Sequence, residues 1–102
     1  MSRHIDFTKQ PAEVRLMAHA IGLDYKRPYQ RHGKFYYRPY RNYYSAAKGS
    51  LEYVVWERMA VSGYAFRRVS DRCNECMVYR LTRAGMDRLG TMLGITIVDE
   101  RE

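Results

Sequence analysis

The stretch between Ser50 and Gly63 constrains the fold most, because apolar residues cover almost every side of the helix that it predicts. Ser50 is a favourable N-cap residue and Gly63 is a favourable helix stop. The apolar residues between them are Leu51, Tyr53, Val54, Val55, Trp56, Met59, Ala60 and Val61. A helix that is apolar on several sides has to be buried on several sides. We therefore predict that this helix is the centre of the core, with Trp56 packed inside it.

The length and composition of the chain favour a single domain. Its 102 residues, of which 46% are hydrophobic, can build one core but leave no room for a second. A first helix is predicted over residues 9–22, where Pro11 fits the first turn and Gly22 fits a helix end. Four apolar residues recur there on one helical face, namely Val14, Met17, Ala18 and Ile21. We predict a single domain over residues 1–102.

The C-terminal half of the chain predicts a β-hairpin. Tyr64 to Val69 and Met77 to Leu81 have the composition of strands, and they flank a polar turn. The second strand alternates between two sides, one formed by Met77, Tyr79 and Leu81 and the other by Val78 and Arg80. This alternation is typical of a β-strand.

A third helix follows the hairpin. Thr82 is a favourable N-cap for a helix from Arg83 to Leu93, and Gly94 is a favourable end. Residues 95–98 then predict a short strand or an extended tail. With the first helix and the Trp56 helix, the chain has about three helices.

All of the net charge lies in one segment. Between Tyr25 and Leu51 there is no Asp or Glu, whereas the whole chain has a net charge of +7. The segment holds seven basic residues: Lys26, Arg27, Arg31, Lys34, Arg38, Arg41 and Lys48. It also holds seven of the ten tyrosines: Tyr25, Tyr29, Tyr36, Tyr37, Tyr40, Tyr43 and Tyr44. We call residues 25–48 the basic segment, and the rest of the chain is neutral.

Interleaved basic and tyrosine side chains favour binding to the backbone of a nucleic acid. Lysine and arginine neutralise phosphates and release counterions, which supplies affinity that does not depend on base sequence. Tyrosine rings can stack on bases, and their hydroxyls can bond phosphate oxygens. The same composition also fits a solvated face, strand edges or the anchors of a protein interface. The two leading partners are therefore a nucleic acid and an acidic protein surface.

Local structure within the basic segment is less strongly specified. Pro28 and Pro39 break any continuous helix, and Gly33 between them is a turn candidate. Lys34 to Arg38 and Arg41 to Ser45 each fit a short strand or an irregular stretch. A long segment without clear regular structure is often functional.

A sequence motif links the hairpin to the third helix. Tyr79-Arg80-Leu81-Thr82-Arg83-Ala84-Gly85 has the pattern Tyr-x-Leu-Thr-x-x-Gly, and the region Tyr53 to Leu93 around it resembles the second half of a winged-helix domain. The run from Arg41-Asn42-Tyr43-Tyr44 to this motif is also similar to small uncharacterised proteins of phages and prophages. The resemblance implies an α+β, winged-helix-like fold and a DNA-binding, regulatory role in transcription.

The chain departs from the winged-helix pattern just before the Trp56 helix. A winged helix has another helix there, whereas this chain has the basic segment with its prolines. The Trp56 helix is also too apolar to lie freely in a major groove. We therefore predict phosphate contacts from the basic segment and from arginines of the hairpin. The predicted nucleic-acid-binding residues are Lys26, Arg27, Arg31, Lys34, Tyr36, Tyr37, Arg38, Tyr40, Arg41, Tyr43, Lys48, Arg67, Arg68 and Arg72.

No pattern in the sequence indicates catalysis. There is no Gly-rich phosphate loop, and no serine or carboxylate pair has a suitable spacing. Cys73 and Cys76 form one Cys-x-x-Cys pair in the hairpin turn, whereas a zinc site needs about four ligands. We predict a protein that is not an enzyme, that has no cofactor and that has no metal site beyond a weak possibility at these two cysteines.

The expected location is the cytoplasm of a bacterial host cell, because the sequence has neither a signal-like nor a membrane-spanning apolar run. Reduced thiols are the rule in that compartment, so a structural disulfide is not expected. A homodimer would supplement the small core. The alternative function is a phage inhibitor that binds a host-defence complex, as an anti-CRISPR protein does, or a transcription complex.

Overall fold

Three α-helices and six short strands build the part of the chain that this computed structural model describes, residues 7–23 and 27–98. A 3-10 turn at Phe7–Lys9 precedes the first helix. The helices are α1 (Ala12–Ala20), α2 (Leu51–Val61) and α3 (Arg83–Leu93). The strands are β1 (Tyr29–Arg31), β2 (Lys34–Tyr37), β3 (Tyr44–Ala47), β4 (Ala65–Val69), β5 (Cys76–Leu81) and β6 (Thr96–Ile97). The α+β class predicted from the sequence is confirmed.

Side-chain caps fix the starts of the second and third helices where the sequence predicts them. The Ser50 hydroxyl accepts a hydrogen bond from the backbone N–H of Tyr53 at 3.1 Å. The Thr82 hydroxyl accepts one from the N–H of Gly85 at 3.0 Å. Each cap satisfies a donor that the first helical turn would leave unpaired. The predicted bounds of α3 are therefore confirmed.

The first helix is shorter than predicted. Pro11 occupies the N-cap position with an extended ψ of 156°, so regular helix begins only at Ala12. The helix ends at Ala20, and Gly22 follows with a left-handed φ of 79°. The apolar pattern in the sequence continues past the end of the helix, because Ile21 and Leu23 are buried although they belong to the turn that follows α1.

The six strands form two separate three-stranded sheets. One sheet has the order β3-β5-β4 and is antiparallel throughout. The other has the order β1-β2-β6, in which β2 and β6 are parallel. His32 and Gly33 both have positive φ at the β1–β2 turn, which confirms the predicted turn at Gly33. Of the two stretches that fit a short strand or irregular structure, residues 34–38 contain β2, whereas residues 41–45 are irregular up to Tyr44, where β3 begins.

The core lies between the helices and the inner face of the β3-β5-β4 sheet. Trp56 is fully buried, and its ring stacks on Tyr79 with a centroid distance of 5.3 Å. The Tyr44 ring also contacts the indole, with a centroid distance of 5.4 Å. The predicted core role of Trp56 is therefore confirmed.

The prediction that α2 is buried on several sides is wrong. Only Trp56 and Met59 of this helix are buried. Leu51 is 83% exposed and Val61 is 90% exposed. The helix packs mainly against β3, β4 and α1, and no other element of the described residues covers its outer side.

The connection between α1 and α2 consists of β1, β2 and β3 and, within the described residues, includes no helix. The departure from the winged-helix pattern that the sequence indicates is thus present in the structure. No helix in the described ranges has both the length and the apolar character needed to cross a membrane.

Candidate nucleic-acid interface

Negative charge is absent from the strands. None of the six strands contains an Asp or Glu. Every acidic residue in the described ranges lies on a helix or in the β4–β5 turn: Glu13, Glu52, Glu57, Asp71, Glu75 and Asp87. The two sheets therefore offer the surfaces on which a polyanion would meet the least repulsion.

The structure divides the basic segment between the two sheets. Arg31 and Lys34 are exposed and directly opposite each other at the end of the β1–β2 hairpin. Arg27 is exposed just before this hairpin. Tyr36 is half-buried, and its ring stacks on that of Tyr29 at 5.9 Å. The turn end of the hairpin therefore displays two adjacent cations, and Arg27 adds a third before the start of β1. Lys26 lies outside the described residues.

Two residues of the predicted binding set hold the fold together instead. Tyr37 is only 3% exposed, and its hydroxyl donates a hydrogen bond to the Ile21 carbonyl oxygen at 2.9 Å. Arg41 is half-buried, and its Nη2 donates to the His19 carbonyl oxygen at 2.6 Å. This corrects the assignment of Tyr37, whose ring faces the core, and it ties Arg41 to the last turn of α1.

The connector between β2 and β3 and the turn after β3 carry the rest of the segment. Arg38 is exposed. Tyr40 is also exposed on one side, and its ring packs against Gly22 on the other. Lys48 is exposed, and its Nζ donates to the Asn74 carbonyl oxygen at 3.2 Å. Arg38 and Tyr40 thus belong to the segment that connects the two sheets, and Lys48 lies beside the β4–β5 turn.

The three predicted arginines of the β4–β5 hairpin differ in their surroundings. Arg67 pairs with Glu57 of α2 at 2.8 Å, so its charge is neutralised on the helix side of the sheet. Arg68 pairs with Asp71 at 3.2 Å, but both side chains are largely exposed and such a pair is weak. Arg72 is exposed in the turn.

The outer face of the β3-β5-β4 sheet combines aromatic rings with arginines. Strand register places Phe66 opposite Arg80 and Arg68 opposite Val78. The Arg80 guanidinium lies over the Phe66 ring, 4.6 Å from its centroid. Tyr43 is 57% exposed and Phe66 is 52% exposed. These residues line an open groove of about 670 Å³, which we call the sheet groove and define by Tyr43, Phe66, Arg68, Val78 and Arg80.

Three residues of the sheet groove, Phe66, Val78 and Arg80, are missing from the set predicted from the sequence. The alternation in the second strand was the available signal, because it sets Arg80 and Val78 on the side opposite to Tyr79. The pairing of β4 with β5 was needed to bring Phe66 beside Arg80.

The Cys-x-x-Cys pair lies in the β4–β5 turn with its sulfur atoms in contact. Cys76 Sγ donates to Cys73 Sγ, and this bond raises the pKa of the Cys76 thiol. Among the described residues, no group of three or more His, Cys, Asp or Glu side chains is placed to hold a metal ion.

No family model, curated protein or solved structure matches this chain. The function is therefore inferred from the charges, exposures and contacts of the chain itself.

Proposed function

We propose that this protein binds DNA, with exposed cations of the basic segment and of the β4–β5 hairpin contacting the phosphate backbone. The observation that carries the proposal is the absence of acidic residues from all six strands, beside a chain charge of +7. Such an arrangement concentrates positive potential on the sheet surfaces and steers a polyanion toward them. The cations that are exposed for phosphate contacts are Arg27, Arg31, Lys34, Arg38, Lys48, Arg68, Arg72 and Arg80.

A modified winged-helix arrangement is part of the same proposal. The chain order of α1, β3, α2, the β4–β5 hairpin and α3 supports it, as does the Thr82-capped entry into α3. The absence of a helix from the described residues between α1 and α2 favours backbone contacts over base reading by a helix. A phage-type regulator of transcription is the role that this resemblance suggests.

Charge reversal at the hairpin tests the proposal. Binding of a labelled random duplex and of a labelled single strand is measured by fluorescence anisotropy at about 50 and 200 mM salt. Arg31→Glu with Lys34→Glu should weaken binding at least tenfold at the lower salt and reduce the logarithmic salt slope by about two. Both side chains are exposed strand residues, so the fold should be retained.

The matched control is Arg15→Glu with Arg58→Glu, which makes the same change in charge on exposed positions of α1 and α2. This control should lose far less affinity than the hairpin variant. Arg41 is unsuitable for such a test, because its bond to the His19 carbonyl oxygen stabilises the fold. Equal losses in the two double variants would reject the hairpin as a contact surface, and no DNA binding at either salt level would reject the function.

A protein partner is the second candidate, and the exposed side of α2 favours it. Leu51, Val54 and Val61 are exposed and share one stripe of the helix. Such a stripe suits an inhibitor of a host-defence or transcription complex, or a second copy of this chain. A partner bound by apolar contacts should stay bound as salt rises, whereas DNA should dissociate. Solution mass at several concentrations detects the homodimer.

A further inference from the structure

We infer that the sheet groove binds single-stranded DNA in preference to duplex DNA, with bases stacked on Phe66 and Tyr43. This inference rests on the proposed DNA-binding function and adds the strandedness of the target and the surface that selects it. The groove is distinct from the cations at the β1–β2 hairpin, which suit phosphates of either form.

The residues of the groove form two rows across the sheet. Extending the β3–β5 register by one residue sets Tyr43 opposite Arg80, and Phe66 lies opposite Arg80 on the other side. The first row therefore consists of Arg80 with an aromatic residue on each side, Tyr43 and Phe66. The second row, Ser45, Val78 and Arg68, follows about 7 Å further along the strands. Adjacent strands are about 4.8 Å apart, so each row presents a flat surface about 10 Å wide.

The exposed rings explain the preference for single strands. Aromatic side chains stack on the faces of bases, and those faces are open in a single strand but covered by neighbouring base pairs in a duplex. Phe66 and Tyr43 each retain about half of their surface exposed. The guanidinium of Arg80 covers one face of the Phe66 ring, so a base would stack on the other face of the ring or on the guanidinium itself, since arginine planes also stack on bases.

The arginines of the groove can contact the phosphates of the DNA strand whose bases stack on the rings. Arg80 makes no ion pair within the described residues, and the Asp71 partner of Arg68 is itself 84% exposed. Glu57 pairs with Arg67 and therefore lies on the helix side of the sheet, away from the groove. The carboxylates of an acidic peptide could pair with the arginines, but such a peptide has no planar bases to stack on the Phe66 and Tyr43 rings. The groove therefore favours a nucleic acid.

The test compares a labelled oligothymidine of about 12 nucleotides with a duplex of equal length at one salt concentration. The single strand should bind the native protein at least tenfold more tightly than the duplex does. Phe66→Ala and Tyr43→Ala should each weaken single-strand binding roughly tenfold, which is the size of the loss of one stacked base. Duplex binding should change less than threefold, because it depends on phosphate contacts.

Two control variants isolate stacking from folding. Phe66→Tyr keeps an aromatic face and should retain binding of the single strand, and circular dichroism confirms the fold of each variant. Leu51→Ala removes an exposed apolar side chain from α2 and should leave DNA binding unchanged.

The possible outcomes separate this inference from the proposed function. Equal affinity for both forms of DNA, or an unaffected Phe66→Ala variant, overturns the inference but leaves the function intact. No binding of either form overturns both. Displacement of the oligonucleotide by polyglutamate as readily as by unlabelled oligothymidine also overturns the inference, since it would assign the groove to an acidic protein.

Discussion

The side-chain amide of Asn42 exchanges two hydrogen bonds with the backbone of Leu81. Its Nδ2 donates to the Leu81 carbonyl oxygen at 3.0 Å, and the Leu81 N–H donates to its Oδ1 at 2.8 Å. The amide thereby takes the place of one strand residue at the end of the β3–β5 ladder. This exchange explains why β3 begins at Tyr44 rather than at Arg41, and it anchors the chain beside Tyr43 in the sheet groove.

Replacement of Asn42 should therefore destabilise the whole domain. Asn42→Ala leaves two backbone groups of Leu81 without their partners, and we expect a loss of about 1–3 kcal/mol in the free energy of unfolding. Urea denaturation followed by tryptophan fluorescence measures it. Asn74→Ala in the exposed β4–β5 turn is the matched control and should change stability by less than about 0.5 kcal/mol. Equal effects of the two substitutions would contradict the anchoring role.

Arg41 is expected to contribute to stability more than to binding. Its Nη2 bonds the His19 carbonyl oxygen in the last turn of α1, where a cation also interacts favourably with the helix dipole. Arg41→Ala should lower the free energy of unfolding by about 1–3 kcal/mol. Arg31→Ala, on the exposed hairpin, should leave stability within about 0.5 kcal/mol of the native value. A stable Arg41→Ala protein with lost DNA affinity would show that this prediction is wrong.

The glycine of the Tyr-x-Leu-Thr-x-x-Gly motif is fixed by a close approach of backbones. A Cβ atom at Gly85 would overlap the carbonyl oxygen of Tyr64, which also accepts a hydrogen bond from the Thr82 N–H. Backbone atoms cannot move aside as a flexible side chain can, so Gly85→Ala should cost about 1–3 kcal/mol despite its better helix propensity. Thermal denaturation measures this cost. Thr91→Ala, on the exposed side of α3, should be close to neutral.

Stability should fall at alkaline pH partly through Tyr79. Burial raises the pKa of its hydroxyl from 10.0 to about 12. Below pH 10 both folded and unfolded states keep the proton, so Tyr79 causes no pH dependence. Between pH 10 and 12 the unfolded state loses the proton first, and the free energy of unfolding therefore decreases as pH rises.

Tyr79→Phe isolates this effect from the other tyrosines. The variant should lose less stability than the native protein between pH 9 and 11, as measured by urea denaturation at each pH. Its stability at pH 7 should change little, because the buried hydroxyl makes no hydrogen bond of good geometry within the described part of the chain. Identical pH profiles for the two proteins would refute the prediction.

The local elements of this fold could be predicted because their signals are local. Ser50 and Thr82 each cap a helix through a residue only three positions away. The second strand of the hairpin is recognisable because its side chains alternate between two sets. The extent of burial could not be predicted in the same way. Leu51 and Val61 have the composition of core residues, but nothing in the described fold covers them.

In the basic segment, too, some features could be predicted from the sequence and others could not. Its charge and its tyrosines could be counted in the sequence, and its prolines exclude a continuous helix. The sequence treats Tyr36 and Tyr37 alike, yet only the second is buried and bonded to the Ile21 carbonyl oxygen. Neighbouring strand residues point to opposite faces, so the pairing of β2 decided which of the two serves the core.

By itself, the sequence determined the three helices, the β4–β5 hairpin and the uneven distribution of charge, because each depends on residues that are close together in the chain. Only the tertiary structure assembled the sheet groove. Phe66, Arg80 and Tyr43 come from three different parts of the chain, and strand register brings them into one row. Contacts between residues as distant as Asn42 and Leu81, which are 39 positions apart, set that register. No pattern within a short window of sequence contains this information.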